Sequence, residues 1–411
     1  MKILLLTLIL AAFAASRLQA ADTDPATTAI NSLGIDLLAM TGTSGGNALL
    51  SPYSIQEALS MTYAGADGKT RGEMAKVLHY PKDDTELNTA FASLQEELDA
   101  IHEQTEAAVK ATLPNERRGP KEPVTLILAN RLFAQSGFEF RKPFLDLLQD
   151  SYHAPLEQLD FATDPDKAKD QINGWVEEQT LKRIQNLVPD GALTKHTRLV
   201  LVNAIYLKAP WQKGFRENAI TLGPFYVKGG PAENVPMMEG LEMKLGYAKR
   251  DGYTALSIPY SGSGLQFLVL LPDKVHGLAA LEAKLTPKLL ATCAKLDTDW
   301  VDLTMPKFKL EPPVMPLSVE LKALGMKTAF DPSANFGRMA TRGIQISEVF
   351  HKTFLSVDEH GTEAAAATAV SMVASDGDAA AFVHIDRPFL FAIQDCKSGA
   401  CLFLGRVTDP R

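Results

Sequence analysis

Between two apolar stretches rich in β-branched and aromatic residues, 344–357 and 382–393, the chain inserts residues 358–381, where Ala, Gly, Ser, Thr and Val prevail and Lys and Arg are absent. A connection longer than ~20 residues between strands is uncommon in a compact domain, and where it occurs it is usually a lid, a binding loop or a disordered tether. Any fold for this chain must hold two strands near its C-terminus and let a long run of small residues travel between them. Thr362, Ala364, Ala366, Thr368 and Val370 are all small or β-branched. One face of the segment could therefore enter a packed core as a strand, with Glu363 on the other face. An Ala run by itself favours helix, but the Thr, Val and Gly around it and its place between strands work against a permanent one.

With 411 residues, 46% apolar and 22% charged, the chain can bury a large core. Ile30, Leu33, Leu37 and Leu38 recur at helical spacing, as do Leu87, Phe91, Leu94, Leu98 and Ile101. Thr70-Arg71-Gly72-Glu73 has the form of a capping box ahead of Met74, Val77 and Leu78. Strands are expected over 124–133, 199–207, 265–271, 301–310, 344–357, 382–393 and 401–407. Helices dominate the first half and strands the second, without regular alternation, so the fold class is α+β.

Met1-Lys2, the apolar run 3–15 and the small residues before Asp22 read as a secretory signal peptide over 1–20, cleaved after Ala20, leaving a domain over 21–411. Its removal takes 41 basic residues to 39 against 49 acidic, a net charge of −10, which argues against nucleic acid or an anionic membrane as partner. The expected location is extracellular or periplasmic. Cys396 and Cys401 bracket Lys-Ser-Gly-Ala between two apolar runs; in a secreted protein that spacing could staple a hairpin, or leave two free thiols. Cys293 sits in a helical setting as an inert core residue.

Enzyme chemistry finds little support. Gly42-Thr43-Ser44-Gly45-Gly46 fits G-x-S-x-G, but a helix precedes it and a strand-like run follows, the reverse of what lifts a nucleophile above a sheet. The eight histidines show no metal-site spacing and no phosphate-binding glycine motif occurs, so neither metal nor cofactor is expected.

Several segments together resemble one family. Asn47-Ala48-Leu49-Leu50-Ser51-Pro52-Tyr53-Ser54-Ile55 leads into Ala58-Leu59-Ser60-Met61-Thr62-Tyr63-Ala64-Gly65-Ala66. Leu201-Val202-Asn203-Ala204-Ile205-Tyr206-Leu207-Lys208 follows with Trp211 and Phe215, then Val235-Pro236-Met237-Met238, Ile258-Pro259-Tyr260, Leu271-Pro272, and a C-terminal block from Asp386-Arg387-Pro388-Phe389 to Gly405-Arg406-Val407. In this order, over residues 24–411, they resemble the serpins, serine-protease inhibitors that trap their target by a conformational change.

The resemblance implies a single large domain with three β-sheets, eight or nine helices, and a reactive-centre loop at 358–381 that is exposed and uninserted in the active state. Glu359-His360-Gly361-Thr362-Glu363-Ala364-Ala365-Ala366-Ala367-Thr368 matches the hinge of inhibitory members, and a glycine at 361 suits a point of large backbone change. Ser51, Ser54, Asn203 and His351 match the polar shutter beneath the large sheet. Lys307 and Glu359 match an ion pair at the breach, beside Trp211. The scissile bond falls at Ala374, Ser375 and Asp376, after Ala374 or after Ser375. Small residues there point to elastase-like or subtilisin-like targets, with Met372 leaving chymotrypsin-like cleavage open. No catalytic residue of its own is implied; the alternative within the family is a non-inhibitory carrier or chaperone. Glu96, Glu97, Asp99, Glu103 and Glu106 against Lys110 argue against heparin activation, and a monomer is expected.

Overall fold

The computed structural model describes residues 24–41, 45–82, 84–112, 122–363 and 380–411. The leader, Ser44, hinge positions Ala364, Ala365, Ala366, Ala367 and Thr368, and the reactive-bond residues Ala374, Ser375 and Asp376 lie outside them.

Among the described residues nine α-helices surround two hydrogen-bonded sheet networks. The first runs from Ala48–Leu50 through Cys401–Val407, Phe389–Asp395, Leu265–Pro272 and Tyr253–Pro259 to Ala232–Arg250, Thr298–Pro306 and Ala381–His384. Two of the three expected sheets are continuous here because the 19-residue strand Ala232–Arg250 belongs to both: its start pairs with Thr221–Tyr226 and its end with Tyr253–Pro259. A register break between Gly240 and Met243 marks the bend.

The second network carries the seam that matters for function. Its central strand, Leu199–Pro210, is an almost continuous apolar run buried on both faces, as expected of a strand covered on two sides. Thr125–Gln135 pairs antiparallel with it on one flank. On the other flank Glu348–Thr353 pairs with it in parallel, from Val200 to Ile205. Beyond Thr353 the two strands part, and Gly361–Thr362 lies between Leu355–Val357 and the end of Leu199–Pro210. The sheet is thus closed at one end and held open by two residues at the other.

Helix Pro52–Gly65 crosses behind this sheet. Ser51 caps it by accepting the Ser54 N–H, and Pro52 takes a first-turn position where a missing donor costs nothing. Every residue of the helix except Ala64 is buried.

Two local expectations are corrected. Thr70 and Glu73 do not form a cap, because the helix spans Gly68–Val77 and both side chains serve tertiary contacts: Thr70 Oγ1 accepts the Asn335 N–H at 2.8 Å, and Glu73 accepts the N–H groups of Lys327 and Thr328 at 2.9 and 2.7 Å. Cys396 and Cys401 are not bonded; they and Cys293 are free thiols. Cys401 pairs with Gln394 past a bulge and is buried in the same core cluster as Cys293, while Cys396 lies beyond the paired residues, partly exposed, with its N–H on the Gly264 carbonyl. The two sulfurs occupy different environments.

Candidate functional site at the seam and hinge

Three side chains form a row across the closed end of the seam. Asn130, Asn203 and His351 are direct register partners on three neighbouring strands. Ser51, Ser54 and Glu57, spaced by three along helix Pro52–Gly65, lie on one side of that helix and meet the row. The Ser51 N–H donates to His351 Nε2 at 3.1 Å, so Nδ1 carries the ring proton and donates to Asn203 Oδ1. Asn203 Nδ2 donates to both Ser54 Oγ and Asn130 Oδ1 at 2.5 Å. Asn130 Nδ2 donates to Glu57 Oε2 at 2.6 Å. Burial drops the His351 pKa to about 3, which keeps the ring neutral.

The four residues predicted for the shutter, Ser51, Ser54, Asn203 and His351, therefore meet in one buried cluster. Asn130 and Glu57 belong to the same cluster and were not anticipated. A signal existed for Glu57, an acid three positions after Ser54 in an otherwise apolar helix; Asn130 was hidden in a strand read only for its apolar pattern.

At the open end the hinge is built into the sheet. Asp358 closes a turn: its N–H donates to the Gly361 carbonyl at 2.9 Å, and its carboxylate accepts the His360 and Gly361 N–H groups at 2.9 and 3.2 Å. The chain reverses over Glu359 and His360, so Thr362 pairs with Val357 on one side and Ala209 on the other. This corrects the expectation of a wholly uninserted loop, because Gly361 and Thr362 already occupy the place of a new strand. A Cβ at Gly361 would sit 2.2 Å from the Ala209 carbonyl oxygen. The close approach of two backbones, as much as hinge freedom, demands glycine there.

Thr362 is fully buried, its hydroxyl 2.5 Å from the Tyr260 hydroxyl. Trp211 stacks on Tyr260 with centroids 4.7 Å apart and donates its indole N–H to the Asp358 carbonyl at 2.9 Å. The Trp211 and Phe215 N–H groups bond the His360 and Glu359 carbonyls, both at 2.9 Å. Lys307 Nζ lies 2.8 Å from Glu359. Burial pushes the Glu359 carboxyl up, but the Lys307 bond and charge, with the neighbouring donors, outweigh it and hold the group below its ordinary value. The predicted breach residues Trp211, Lys307 and Glu359 are thus in mutual reach.

The hinge leaves the sheet at Glu363, whose φ of 49° is left-handed. Its carboxylate pairs with Arg183 at 2.7 Å, and its N–H bonds the Ser356 carbonyl at 2.9 Å. Arg183 comes from the segment after helix Pro165–Gln179, which crosses the opposite face of the sheet from Tyr260. Sequence reading put Glu363 on the face away from Thr362 but gave no sign of its partner.

A helical shell, a large sheet parted at one end and a long connection arising at the parting define a protein built to receive its own loop as a strand. A sequence model of the family described as serpin (serine protease inhibitor) matches residues 28–410, and the chain belongs to that family, one of inhibitors rather than enzymes. It is 36% identical over 375 residues to the leukocyte elastase inhibitor of Bos taurus, covering 89% of this chain and 93% of that one. It is 35% identical over 370 residues to "Iris" of Ixodes ricinus, covering 89% and 92%. Among solved structures, Serpin48 of the insect Tenebrio molitor, titled a highly specific serpin, superposes with a TM-score of 0.78 at 28% identity, covering 95% of this chain and all of that one. A thyroxine-binding globulin in complex with thyroxine gives 0.77 at 27% identity, covering 93% and 99%.

Proposed function

We propose that the chain is a suicide-substrate inhibitor of serine proteases of elastase-like or subtilisin-like specificity, with chymotrypsin-like cleavage at Met372 as the nearest variant. The observation that carries this is the hinge: Gly361 and Thr362 are paired on both sides within the sheet, and the residues that follow are small enough to continue between the same strands. A protease serine attacks the scissile carbonyl among residues 372–376, forming an ester while the amine of the next residue leaves. Insertion of the loop then competes with hydrolysis of the ester, and the faster event decides between trap and cleaved substrate. Shutter roles for Ser51, Ser54, Asn203 and His351, and a breach role for Lys307 and Glu359, belong to the same proposal, as does a monomer that needs no cofactor.

The absence of Lys and Arg over 358–381 disfavours proteases whose primary pocket holds an acid. Helix Asp84–Ala111 carries an acidic face, so heparin is not an expected activator. The leader reading of residues 1–20 makes the inhibitor extracellular or periplasmic, and no helix among the described residues is long and apolar enough to cross a membrane.

Mixing residues 21–411 with an elastase-like and a subtilisin-like protease tests the reading. A complex stable in denaturant, together with release of a C-terminal fragment beginning between residues 373 and 377, is the expected result. Loop cleavage with no complex and no gain in thermal stability would favour the carrier or chaperone reading, which the likeness to a thyroxine-binding globulin keeps in view.

A further inference from the structure

Glu57 is a carboxylate buried between helix Pro52–Gly65 and the sheet, and trapping a protease gives it no task. Its connection to the seam has a fixed direction. A backbone N–H can only donate, so the Ser51 bond to His351 Nε2 forces the proton onto Nδ1. That proton needs Asn203 Oδ1 as acceptor, which turns Asn203 Nδ2 toward Asn130 Oδ1 and Asn130 Nδ2 toward Glu57. Four hydrogen bonds in series therefore point the same way, from Ser51 to Glu57, and the last acceptor is the only ionisable oxygen at that end.

We propose that Glu57 is a proton-binding site that sets how firmly the seam is closed, its ionised form polarising the relay and strengthening the His351–Asn203 bond that insertion must break. Hydrogen bonds to an ionised acceptor are stronger than those to a neutral one, and bonds in series reinforce one another. Opening the seam parts His351 from Asn203 but leaves Asn130 paired with Asn203 in the ten-residue register of the neighbouring strands. Glu57 thus stays buried while its influence is read on the far side of Asn203.

The surroundings put the titration in a useful range. Burial raises the Glu57 pKa to about 7, the Asn130 bond pulls it down and the charge of Asp99, on helix Asp84–Ala111, adds to the rise. Tyr53 of its own helix and Tyr152, beyond helix Lys142–Asp150, also feel the Glu57 charge. Arg71, on helix Gly68–Val77, acts on Tyr152, and His153 acts on Asp99. The strands contribute the amides Asn130 and Asn203 and, at the far end, His351, which stays neutral well above its pKa of about 3.

Two effects of opposite sign follow, and they separate this relay from a merely structural role. The raised pKa means the folded chain holds a proton that the unfolded chain loses above about 4.5, so global stability falls as pH rises from 4.5 through 7. The seam should tighten over the upper part of the same range. The proposal rests on the insertion reading, and annealing of an acetylated synthetic peptide of residues 361–374 into the sheet, followed on native gels, tests both separately. Annealing about fivefold slower at pH 8 than at pH 6, while the urea midpoint falls, is expected, from the roughly 1 kcal/mol by which a charged acceptor improves a hydrogen bond. Glu57→Gln should anneal at the fast rate at both pH values. Asp99→Asn, an exposed substitution, should keep the profile and move its midpoint to lower pH, a check that stands if Glu57→Gln does not fold. A peptide that never anneals removes the insertion reading. Annealing that is independent of pH or faster at pH 8, a profile retained by Glu57→Gln, or one abolished by Asp99→Asn overturns the relay.

Discussion

Thr362 shows how one side chain can decide the outcome of a whole conformational change. It is fully buried, with its hydroxyl on Tyr260 and its backbone paired on both sides. Thr362→Arg would force a charge into this apolar, hydrogen-bonded site, where ionised groups without a partner are costly. The expected result is a chain still cleaved by its target but yielding cleaved product in place of stable complex, read as a rise of at least about tenfold in the moles of inhibitor needed per mole of protease, the ratio for ~1.4 kcal/mol. His351 makes a second case. Its pKa of about 3 against an ordinary 6.5 means that the unfolded chain takes up a proton the folded chain refuses. Its contribution to stability is therefore present above about 6.5 and lost as pH falls through 3. His351→Gln should flatten the acid limb of a stability-versus-pH curve measured by urea melts, at the cost of a lower midpoint near neutrality because the Ser51 and Asn203 bonds are disturbed. These residues were legible to different degrees: Ser51, Ser54, Asn203, His351 and Thr362 stand in recognisable motifs, whereas Glu57, Asn130, Tyr260 and Arg183 acquire meaning only when distant segments meet.

Elements that run straight through a single environment were easy to read, and those that change environment were not. Strand Leu199–Pro210 is apolar on both faces and was recognised almost to its ends. Strand Ala232–Arg250 escaped notice because its burial alternates irregularly and its register breaks at Gly240, so no window of it carries a clean period of two. The expected strands 344–357 and 382–393 each divide, the second around Pro388, which cannot donate to a ladder. The C-terminal hairpin gives a direct test of one corrected expectation. Cys293, Cys396 and Cys401 are free, and burial raises all three thiols, Cys293 to about 11 and Cys396 to about 12. A thiol reagent at pH 7.5 should react slowly with the native chain and titrate three thiols once it is denatured; one thiol would restore the bridge between Cys396 and Cys401.

The molecule as a whole is a sheet with one interval closed at one end and held apart at the other. Closing that interval with a strand would satisfy backbone donors and acceptors along both of its edges and bury small side chains between the layers. Cleavage within 372–376 should accordingly raise the thermal midpoint by more than about 20 °C, since a midpoint shift of only 2–4 °C accompanies each kcal/mol in a domain of this size. Scanning calorimetry of intact and nicked chain checks this, and a nicked chain that melts with the intact one would mean that the loop does not enter. The α+β class and the two-strand origin of the loop were readable from composition and pattern. The partial entry of the hinge was not, because it depends on a turn at Asp358 and on contacts with Tyr260 and Arg183 from remote parts of the chain.

The two residues already seated also set the phase of everything that follows them. Thr362 faces Val357 and Ala209 in antiparallel pairs, so each further step along the loop moves one step back along both neighbours. Carried on without a slip, that count brings Thr368 opposite Asn203 and His351 at once, on the face where those two now bond each other. A zipper whose first tooth is engaged cannot close out of step. The hydroxyl that arrives there would replace the very contact its arrival breaks, so the polar row is rebuilt around the intruding strand instead of being left unpaired.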